Sequence, residues 1–171
     1  MAPSKRSRPT HSGPDSAGTP ATVALARAGI DFTLHPYVHQ DDTTGYGDEA
    51  AEQLGIDPRR IFKTLIAEVS GQLVVAVVPV AHHLDLKALA RARGAKKAQL
   101  ADPQAATRSS GYVLGGISPI GQRTKLPTVI DSTARDFPTI FVSAGRRGVQ
   151  VELPPADLIA ITDARVGPIA G

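Results

Sequence analysis

The sequence predicts an α+β domain built around a curved, mixed or largely antiparallel β-sheet. Three observations lead to this class. Strand-like and helix-like segments follow one another without a regular βαβ order, two long apolar runs are joined by a tight polar turn, and no segment repeats along the 171 residues. A chain of this length suits one domain of ordinary size, so we expect a single core.

The N-terminal segment, residues 1–18, is rich in Ser, Pro, Gly and basic residues and has no apolar periodicity. Such a composition buries too little apolar surface to offset the entropy lost on ordering. We therefore predict a disordered basic tail over 1–18 and a folded domain over 19–171.

Capping residues mark the first elements. Thr19 suits the N-cap of a helix and Pro20 its first turn, and Gly29 ends that helix. A short strand and a second helix with acidic residues in its first turn are predicted next, at 32–37 and 48–54.

A β-hairpin is predicted in the middle of the chain. Residues 61–69 and 73–80 are apolar, β-branched runs, and Ser70-Gly71-Gln72 between them is typical of a turn. The rest of the chain repeats the same signals. Two helices are predicted at 84–92 and 102–109, and three short strands at 128–131, 139–143 and 149–152. A terminal helix or turn begins at 154–158.

The composition excludes several classes of protein. The chain has no cysteine, which excludes a disulfide framework, a thiolate metal site and a cysteine nucleophile. No apolar run approaches the roughly 20 residues of a membrane span, and the N-terminus lacks the apolar part of a secretory signal. We expect a cytoplasmic protein with no membrane partner.

The positive charge is informative only where it clusters. The formal net charge is +3, and most of it falls in the tail. Basic residues also cluster beside the segments described next, which indicates a phosphate-rich substrate. These clusters are Arg59-Arg60 with Lys63, Lys96-Lys97, Arg123 with Lys125, and Arg146-Arg147.

The segment 111–122 contains four glycines and a proline, which exclude an ordinary helix or a long central strand. Glycine inside an element costs about 0.5–1 kcal/mol relative to alanine, and it is retained where the main chain takes positive φ or approaches a ligand. Main-chain groups are therefore candidates for a binding site. Lys63, at the head of the first hairpin strand, is a candidate for an ammonium group at the mouth of a pocket.

Other chemistries find little support. Neither nucleotide fingerprint, Gly-x-x-x-x-Gly-Lys-[Ser/Thr] nor Gly-x-Gly-x-x-Gly, is present. A serine hydrolase would need Ser118 or Ser143 with a histidine and Asp131, but neither serine lies in a Gly-x-Ser-x-Gly elbow. A metal site at His35 and His39 with Asp41 or Asp42 would need a helix that Pro36 disfavours. No metal or cofactor is predicted.

Several motifs occur in an order that resembles a known family, the YbaK/EbsC proteins, which are bacterial Cys-tRNA(Pro) deacylases. The resemblance covers residues 19–160. Its motifs are Thr19-Pro20-Ala21, Leu34-His35-x-Tyr37-x-His39, Gly47-Asp48-Glu49-Ala50-Ala51, Leu54-Gly55, Phe62-Lys63-Thr64-Leu65, the segment 111–121, and Val142-Ser143-x-Gly145-x-Arg147-Gly148.

The resemblance implies a barrel-like sheet surrounded by helices and an enzyme that removes cysteine from mischarged tRNA(Pro). It also implies the acceptor end of that tRNA and a prolyl-tRNA synthetase as partners. The residues that match the family's site are Lys63, Gly115 and Gly116 for catalysis, Tyr37, Tyr46, Thr64, Ile117, Ser118 and Ser143 for substrate binding, and Arg123, Lys125, Arg146 and Arg147 for tRNA binding.

Such a site needs no protein nucleophile, because the thiol of a cysteinyl ester can attack its own carbonyl carbon. In this hypothesis, N–H groups near Gly115 and Gly116 stabilise the oxyanion, nearby carbonyls hold the α-amino group, and Lys63 binds the terminal sugar or phosphate. Two alternatives remain open, a non-catalytic module that binds tRNA or the synthetase, and a deacylase for another amino acid such as alanine.

Overall fold

A computed structural model of the protein describes residues 18–40 and 45–171. The predicted tail therefore lies, apart from Gly18, outside the described residues. The described part contains five α-helices, at Pro20–Arg27 (α1), Tyr46–Leu54 (α2), Leu86–Ala92 (α3), Pro103–Ser110 (α4) and Pro155–Thr162 (α5). It contains eight strands, at Thr33–Pro36 (β1), Phe62–Val69 (β2), Gln72–Pro79 (β3), Ala98–Leu100 (β4), Thr128–Asp131 (β5), Ile140–Ser143 (β6), Val149–Leu153 (β7) and Arg165–Gly167 (β8).

Capping residues begin and end the helices, among them the predicted Thr19. The hydroxyl of Thr19 accepts a hydrogen bond of 3.2 Å from Thr22 N, and the carboxylate of Asp102 accepts one of 3.3 Å from Ala105 N. Gly55 and Gly111 end α2 and α4 in the left-handed conformation, which a residue with a Cβ rarely adopts. None of the described helices is long and apolar enough to cross a membrane.

The predicted hairpin is confirmed. Strands β2 and β3 pair antiparallel from Phe62 opposite Pro79 to Val69 opposite Gln72. Only two residues connect them, Ser70 and Gly71, with φ of 51° and 79°. Positive φ at both positions is typical of a type I′ turn, whose twist matches that of the strands.

The α+β class is confirmed, but the sheet does not close into a barrel. A five-stranded sheet has the order β4-β2-β3-β5-β8, and a three-stranded sheet has the order β1-β7-β6. One parallel bridge, between Ile61 and Phe141, joins the two sheets. The short strands β4 and β8 were missed by the sequence analysis, because three residues are too few to show periodicity.

Side chains of the hairpin alternate between two aliphatic clusters. One face of β2 and β3 contributes Phe62, Ile66, Val75 and Val77 to the main core, which α1 and α5 also cover. The other face contributes a second set that packs with Leu89 of α3. That set is Ala67, Val69, Val74, Ala76 and Val78. The hairpin is therefore buried on both faces, so its edge is where a ligand can reach it.

One edge of β2 is only partly covered. At its start, β6 contacts β2 through the bridge at Ile61. At its end, β4 pairs with β2 only from Ala67 to Val69. On this edge, no described strand pairs with residues 62–66 between β6 and β4, and this gap is where the cavity described below opens.

Candidate active site

A cavity of about 510 Å³ occupies the gap beside β2. Its walls come from six parts of the chain, namely the start of α2, strand β2, Val80 just after β3, the β4–α4 segment, the glycine-rich loop, and strands β6 and β7. Of the predicted site residues, six line it. They are Tyr46, Lys63, Thr64, Gly115, Ile117 and Ser143.

Lys63 lies on β2 at this cavity, half-buried. Burial lowers the pKa of its ammonium group, and the nearby carboxylate of Asp48 acts in the opposite direction. Its neighbour Thr64 has a buried hydroxyl oxygen with no hydrogen-bond partner among the described residues. A desolvated cation and an unpaired hydroxyl in one cavity favour a polar or anionic ligand there.

Tyr46 and Arg147 hold the glycine-rich loop from one side. A Cβ on Gly115 would lie 2.7 Å from the ring of Tyr46, so only glycine permits this contact. The guanidinium carbon of Arg147 lies 5.1 Å from the centroid of the same ring, and its Nε donates a hydrogen bond of 2.8 Å to Leu114 O. Gly115 itself has a φ of 82°. These contacts fix the loop against the start of α2.

Ser143 and Arg146 hold the loop from the other side. A Cβ on Gly116 would lie 2.8 Å from the Cα of Arg146, which is main chain and has little room to move. The hydroxyl of Ser143 donates a hydrogen bond of 3.1 Å to Gly116 O and accepts one of 3.2 Å from Gly145 N. The loop is thus packed directly on the turn between β6 and β7.

The hydrogen bonds of the loop decide which main-chain groups remain for a ligand. Gly116 N donates to Val113 O at 3.0 Å, so this N–H is already used. Within the described chain, the N–H groups of Gly115 and Ile117 have no such acceptor. Both residues line the cavity, so their N–H groups are candidates for binding a ligand there.

Gln150 is a cavity residue that the sequence analysis missed. It is buried in β7 directly opposite Ser143, and its Oε1 has no partner among the described residues. The signal was present, because Gln150 is a polar residue between Val149 and Val151 in a strand that is otherwise apolar at these positions.

Tyr37 and Ser118 do not line the cavity. Burial raises the pKa of the Tyr37 hydroxyl, while hydrogen bonds with Gly148 and the side chain of Gln150 lower it. Tyr37 is therefore a neighbour of Gln150 rather than part of the cavity wall. Ser118 is fully buried, and its hydroxyl accepts a hydrogen bond of 3.2 Å from Ile120 N, which stabilises the turn.

Tyr112 anchors the loop to the core. Its hydroxyl donates a hydrogen bond of 2.7 Å to Ile120 O, and burial raises its pKa to about 12. Its ring fills the space that a Cβ on Gly145 would occupy, at 2.8 Å. Tyr112 therefore joins both ends of the loop and the β6–β7 turn.

None of the four predicted tRNA-binding residues lines the cavity. Arg146 and Arg147 are in the β6–β7 turn that packs on the loop. The side chain of Arg123 lies against Gly111, at the end of α4, and Lys125 is exposed two residues further on. The structure thus divides them into two pairs on separate segments.

The alternative chemistries gain nothing from the structure. Asp131 accepts hydrogen bonds from the main chain of Thr133, Ile169 and Ala170, which is a structural role. His35 Nε2 lies 2.9 Å from Glu152 Oε1, and His39 Nδ1 lies 2.8 Å from Glu49 Oε1. Each described histidine of the metal hypothesis has a carboxylate partner of its own, and Asp41 and Asp42 lie outside the described residues.

The fold and the cavity define a known class of protein. Residues 42–161 match the model of the aminoacyl-tRNA editing domain. The chain belongs to this family, as the resemblance seen in its motifs implied.

Individual relatives agree with that assignment. The chain is 41% identical over 124 residues to the Enterococcus faecalis protein named "Putative Cys-tRNA(Pro)/Cys-tRNA(Cys) deacylase EbsC", covering 71% of this chain and 75% of that protein. It is 29% identical over 142 residues to the Escherichia coli "Multifunctional Ser/Thr-tRNA deacylase ProXp-y", covering 80% and 83%. A solved structure described as a "putative trans-editing enzyme for prolyl tRNA synthetase" superimposes with a TM-score of 0.79 at 23% identity, covering 91% of this chain and 99% of that one.

Proposed function

We propose that this chain is an aminoacyl-tRNA deacylase that acts in trans and releases cysteine from Cys-tRNA(Pro), with Cys-tRNA(Cys) as a second substrate. The observation that carries the proposal is that Lys63, Gly115 and Ser143 line one cavity in a member of the editing-domain family. The name of the E. faecalis relative supports cysteine as the amino acid.

The chemistry proceeds through the sulfur of the substrate. The thiolate forms a bond to its own ester carbonyl carbon, the ester C–O bond breaks, and the thiol proton ends on the ribose oxygen that leaves. Water then opens the cyclic thioester and gives free cysteine. Because the reaction is intramolecular, the protein contributes mainly by holding the ester in the reactive conformation.

The cavity residues have distinct roles in this reaction. The N–H groups of Gly115 and Ile117 donate to the carbonyl oxygen as it gains negative charge. Lys63 binds the sugar or phosphate of the terminal nucleotide, and Thr64 binds the same end of the substrate. Ser143 holds the loop through Gly116 O. Tyr46 positions the loop through its contact with Gly115.

Single-turnover assays with Cys-, Ser-, Ala- and Pro-tRNA test the proposal. We expect Cys-tRNA to lose its amino acid fastest, because serine and alanine lack the thiol. Equal rates for Cys-tRNA and Ser-tRNA would exclude the sulfur mechanism. Binding of all four without release would instead identify a non-catalytic tRNA-binding module.

A second candidate is a deacylase for hydroxyl amino acids. The similarity to a protein named as a Ser/Thr-tRNA deacylase favours it. In that case release of serine and threonine would exceed release of cysteine in the same assay, and water would replace the substrate thiol as nucleophile. Fast release of alanine alone would identify the alanine-specific alternative.

The partner is the acceptor end of the mischarged tRNA, in the cytoplasm, where tRNA is charged. A complex with prolyl-tRNA synthetase is a further part of the proposal, supported by the description of the structural relative. Sedimentation of the chain mixed with the synthetase, with and without tRNA, tests it. Independent sedimentation in both cases would restrict the partner to tRNA.

A further inference from the structure

A second concave surface lies between α3, the start of β4 and the turn of the hairpin. It is a groove of about 590 Å³, called here the α3–β4 groove. Three exposed lysines line it, Lys87 on α3 and Lys96 and Lys97 just before β4. Among the described residues of its lining, Glu68 is the only acidic one. The groove therefore carries an excess of positive charge.

The three lysines have no acidic partner within the described part of the chain. No carboxylate there forms an ion pair with any of them. The basic pair before β2 differs, because Arg59 forms an ion pair of 2.7 Å with Asp57 and Arg60 donates a hydrogen bond of 2.9 Å to Thr139 O. Like charges on one concave surface repel one another and concentrate their field within it, so they favour a ligand with several negative charges.

The α3–β4 groove and the cavity open along the same edge of the five-stranded sheet. Strand β4 is the edge strand, and its residues Ala98 and Gln99 line the groove, whereas Leu100 and the following Ala101 line the cavity. On β2 and the turn after it, Thr64 lines the cavity and Ser70 the groove. An extended chain covers about 20 Å between these two positions. A polymer that ends in the cavity can therefore reach the groove along this edge.

We propose that the α3–β4 groove binds the sugar-phosphate backbone of the tRNA acceptor stem. A stacked nucleotide strand rises about 3.4 Å per residue, so 20 Å corresponds to about six nucleotides. The unpaired 3′ end of a tRNA is shorter than this, and the phosphates at the groove then belong to the base-paired stem. The proposal rests on the proposed function and adds to it a contact surface separate from the cavity.

The chemistry of the groove determines what it contributes. A lysine ammonium group binds a phosphate as a point charge and does not read the base sequence. The groove therefore strengthens binding of every tRNA alike, while the cavity selects the amino acid. Loss of the lysines should affect affinity and KM rather than kcat, because the groove does not touch the reacting ester.

Filter binding of uncharged tRNA(Pro) tests the groove without turnover. A triple variant with Lys87→Gln, Lys96→Gln and Lys97→Gln should bind about tenfold or more weakly at low salt, and its slope of log K against log salt should fall by about three. The same three positions changed to Arg keep their charge and should keep the slope. An unchanged slope in the triple Gln variant, with folding verified by circular dichroism, would overturn the proposal.

Arg165→Gln is the control for loss of a charge elsewhere. Arg165 is exposed on β8, at the opposite edge of the five-stranded sheet. Its removal should leave the slope unchanged. A loss per charge equal to that of the triple Gln variant would show that total charge rather than the groove governs binding, which would also overturn the proposal.

Turnover of a long and a short substrate locates the contact. We expect the triple Gln variant to raise KM for Cys-tRNA(Pro) about tenfold, in line with its weaker binding, and to leave KM for cysteine esterified to the trinucleotide CCA unchanged. Equal increases for both substrates would place the lysines at the 3′ end and overturn the stem assignment. If the unchanged protein releases cysteine from neither substrate, the proposed function fails, and the slopes from filter binding still decide the groove.

Discussion

The hydroxyl of Ser143 donates a hydrogen bond of 3.1 Å to the main-chain oxygen of Gly116. These residues lie 27 positions apart, one at the end of β6 and the other in the glycine-rich loop. The bond joins the loop to the sheet beside the cavity, which Gly115 and Ser143 both line. It also occupies the carbonyl of Gly116, one of the main-chain carbonyls predicted from the sequence to bind the α-amino group of the substrate.

Ser143→Ala should loosen the loop. The substitution leaves Gly116 O and Gly145 N without their partner, which costs about 1–2 kcal/mol where these groups stay buried. We expect a lower kcat for deacylation and a lower urea midpoint. Ser132→Ala, at an exposed serine outside the cavity, is the control and should change neither. Full activity of the Ser143→Ala protein would show that this hydrogen bond is not needed to form the site.

Gly116→Ala should be more damaging than Ser143→Ala. The new Cβ would lie 2.8–2.9 Å from main-chain atoms of Arg146 and Arg147, so the loop or the β6–β7 turn must shift. Overpacking of this kind costs about 1–3 kcal/mol. Gly167→Ala is the matched control, because a Cβ there meets nothing within 4 Å. The Gly116→Ala protein should unfold at a lower temperature and deacylate more slowly than the Gly167→Ala protein. Equal behaviour of the two would show that the close approach of Gly116 to the β6–β7 turn is unimportant.

Lys63 should affect both the rate of deacylation and the pH dependence of the free energy of unfolding. Lys63→Ala should keep its fold but lower deacylation about a hundredfold or more, as expected for loss of one charged contact in the transition state. Burial lowers the pKa of the folded-state ammonium below its ordinary value of 10.5. In the pH window between the folded and unfolded pKa values the unfolded chain binds more protons, so the free energy of unfolding should rise with pH.

Urea titrations between pH 8 and pH 11, roughly the range in which lysine titrates, check this sign. The rise should be absent in Lys63→Met, which keeps the apolar stem and removes the titrating group. If the free energy of unfolding rises equally with pH in both proteins, another residue causes the rise. Wild-type deacylation by Lys63→Ala would separately remove Lys63 from the mechanism.

His39 should stabilise the start of α2. Its Nδ1 lies 2.8 Å from the carboxylate of Glu49, which is buried, and its ring packs 5.5 Å from that of Tyr46. His39→Ala should destabilise the protein by about 1–3 kcal/mol, because a buried carboxylate loses a partner. It should also raise KM through Tyr46. His35→Ala, at a more exposed histidine, should leave KM unchanged. Identical KM values in both variants would contradict a positioning role for His39.

The predicted tRNA-binding residues should make tRNA binding sensitive to salt. Lys125→Gln should weaken binding of all tRNAs alike and reduce the slope of log K against log salt by about one. Arg147→Gln should do the same and also lower kcat, since Arg147 contacts both Tyr46 and Leu114. Filter binding at several salt concentrations measures the slopes. A binding constant that does not change with salt would exclude the phosphate contacts.

The sequence by itself determined the elements whose signals are local. Thr19 and Asp102 begin helices, Gly55 and Gly111 end them, and the two-residue turn at Ser70 forms because these residue types set the local backbone. The ordered motifs also identified the family correctly. Six of the residues that they indicated line one cavity, and the roles of these residues stay predictions.

Only the tertiary structure decided how those residues meet. Pairing partners depend on contacts between distant segments, so no local signal revealed β4, β8 or the single bridge at Ile61. The same long-range packing placed Gln150 on the cavity wall and Tyr37 behind it. It also left the edge of β2 uncovered between β6 and β4, and a strand edge becomes a binding surface only when its neighbours fail to cover it.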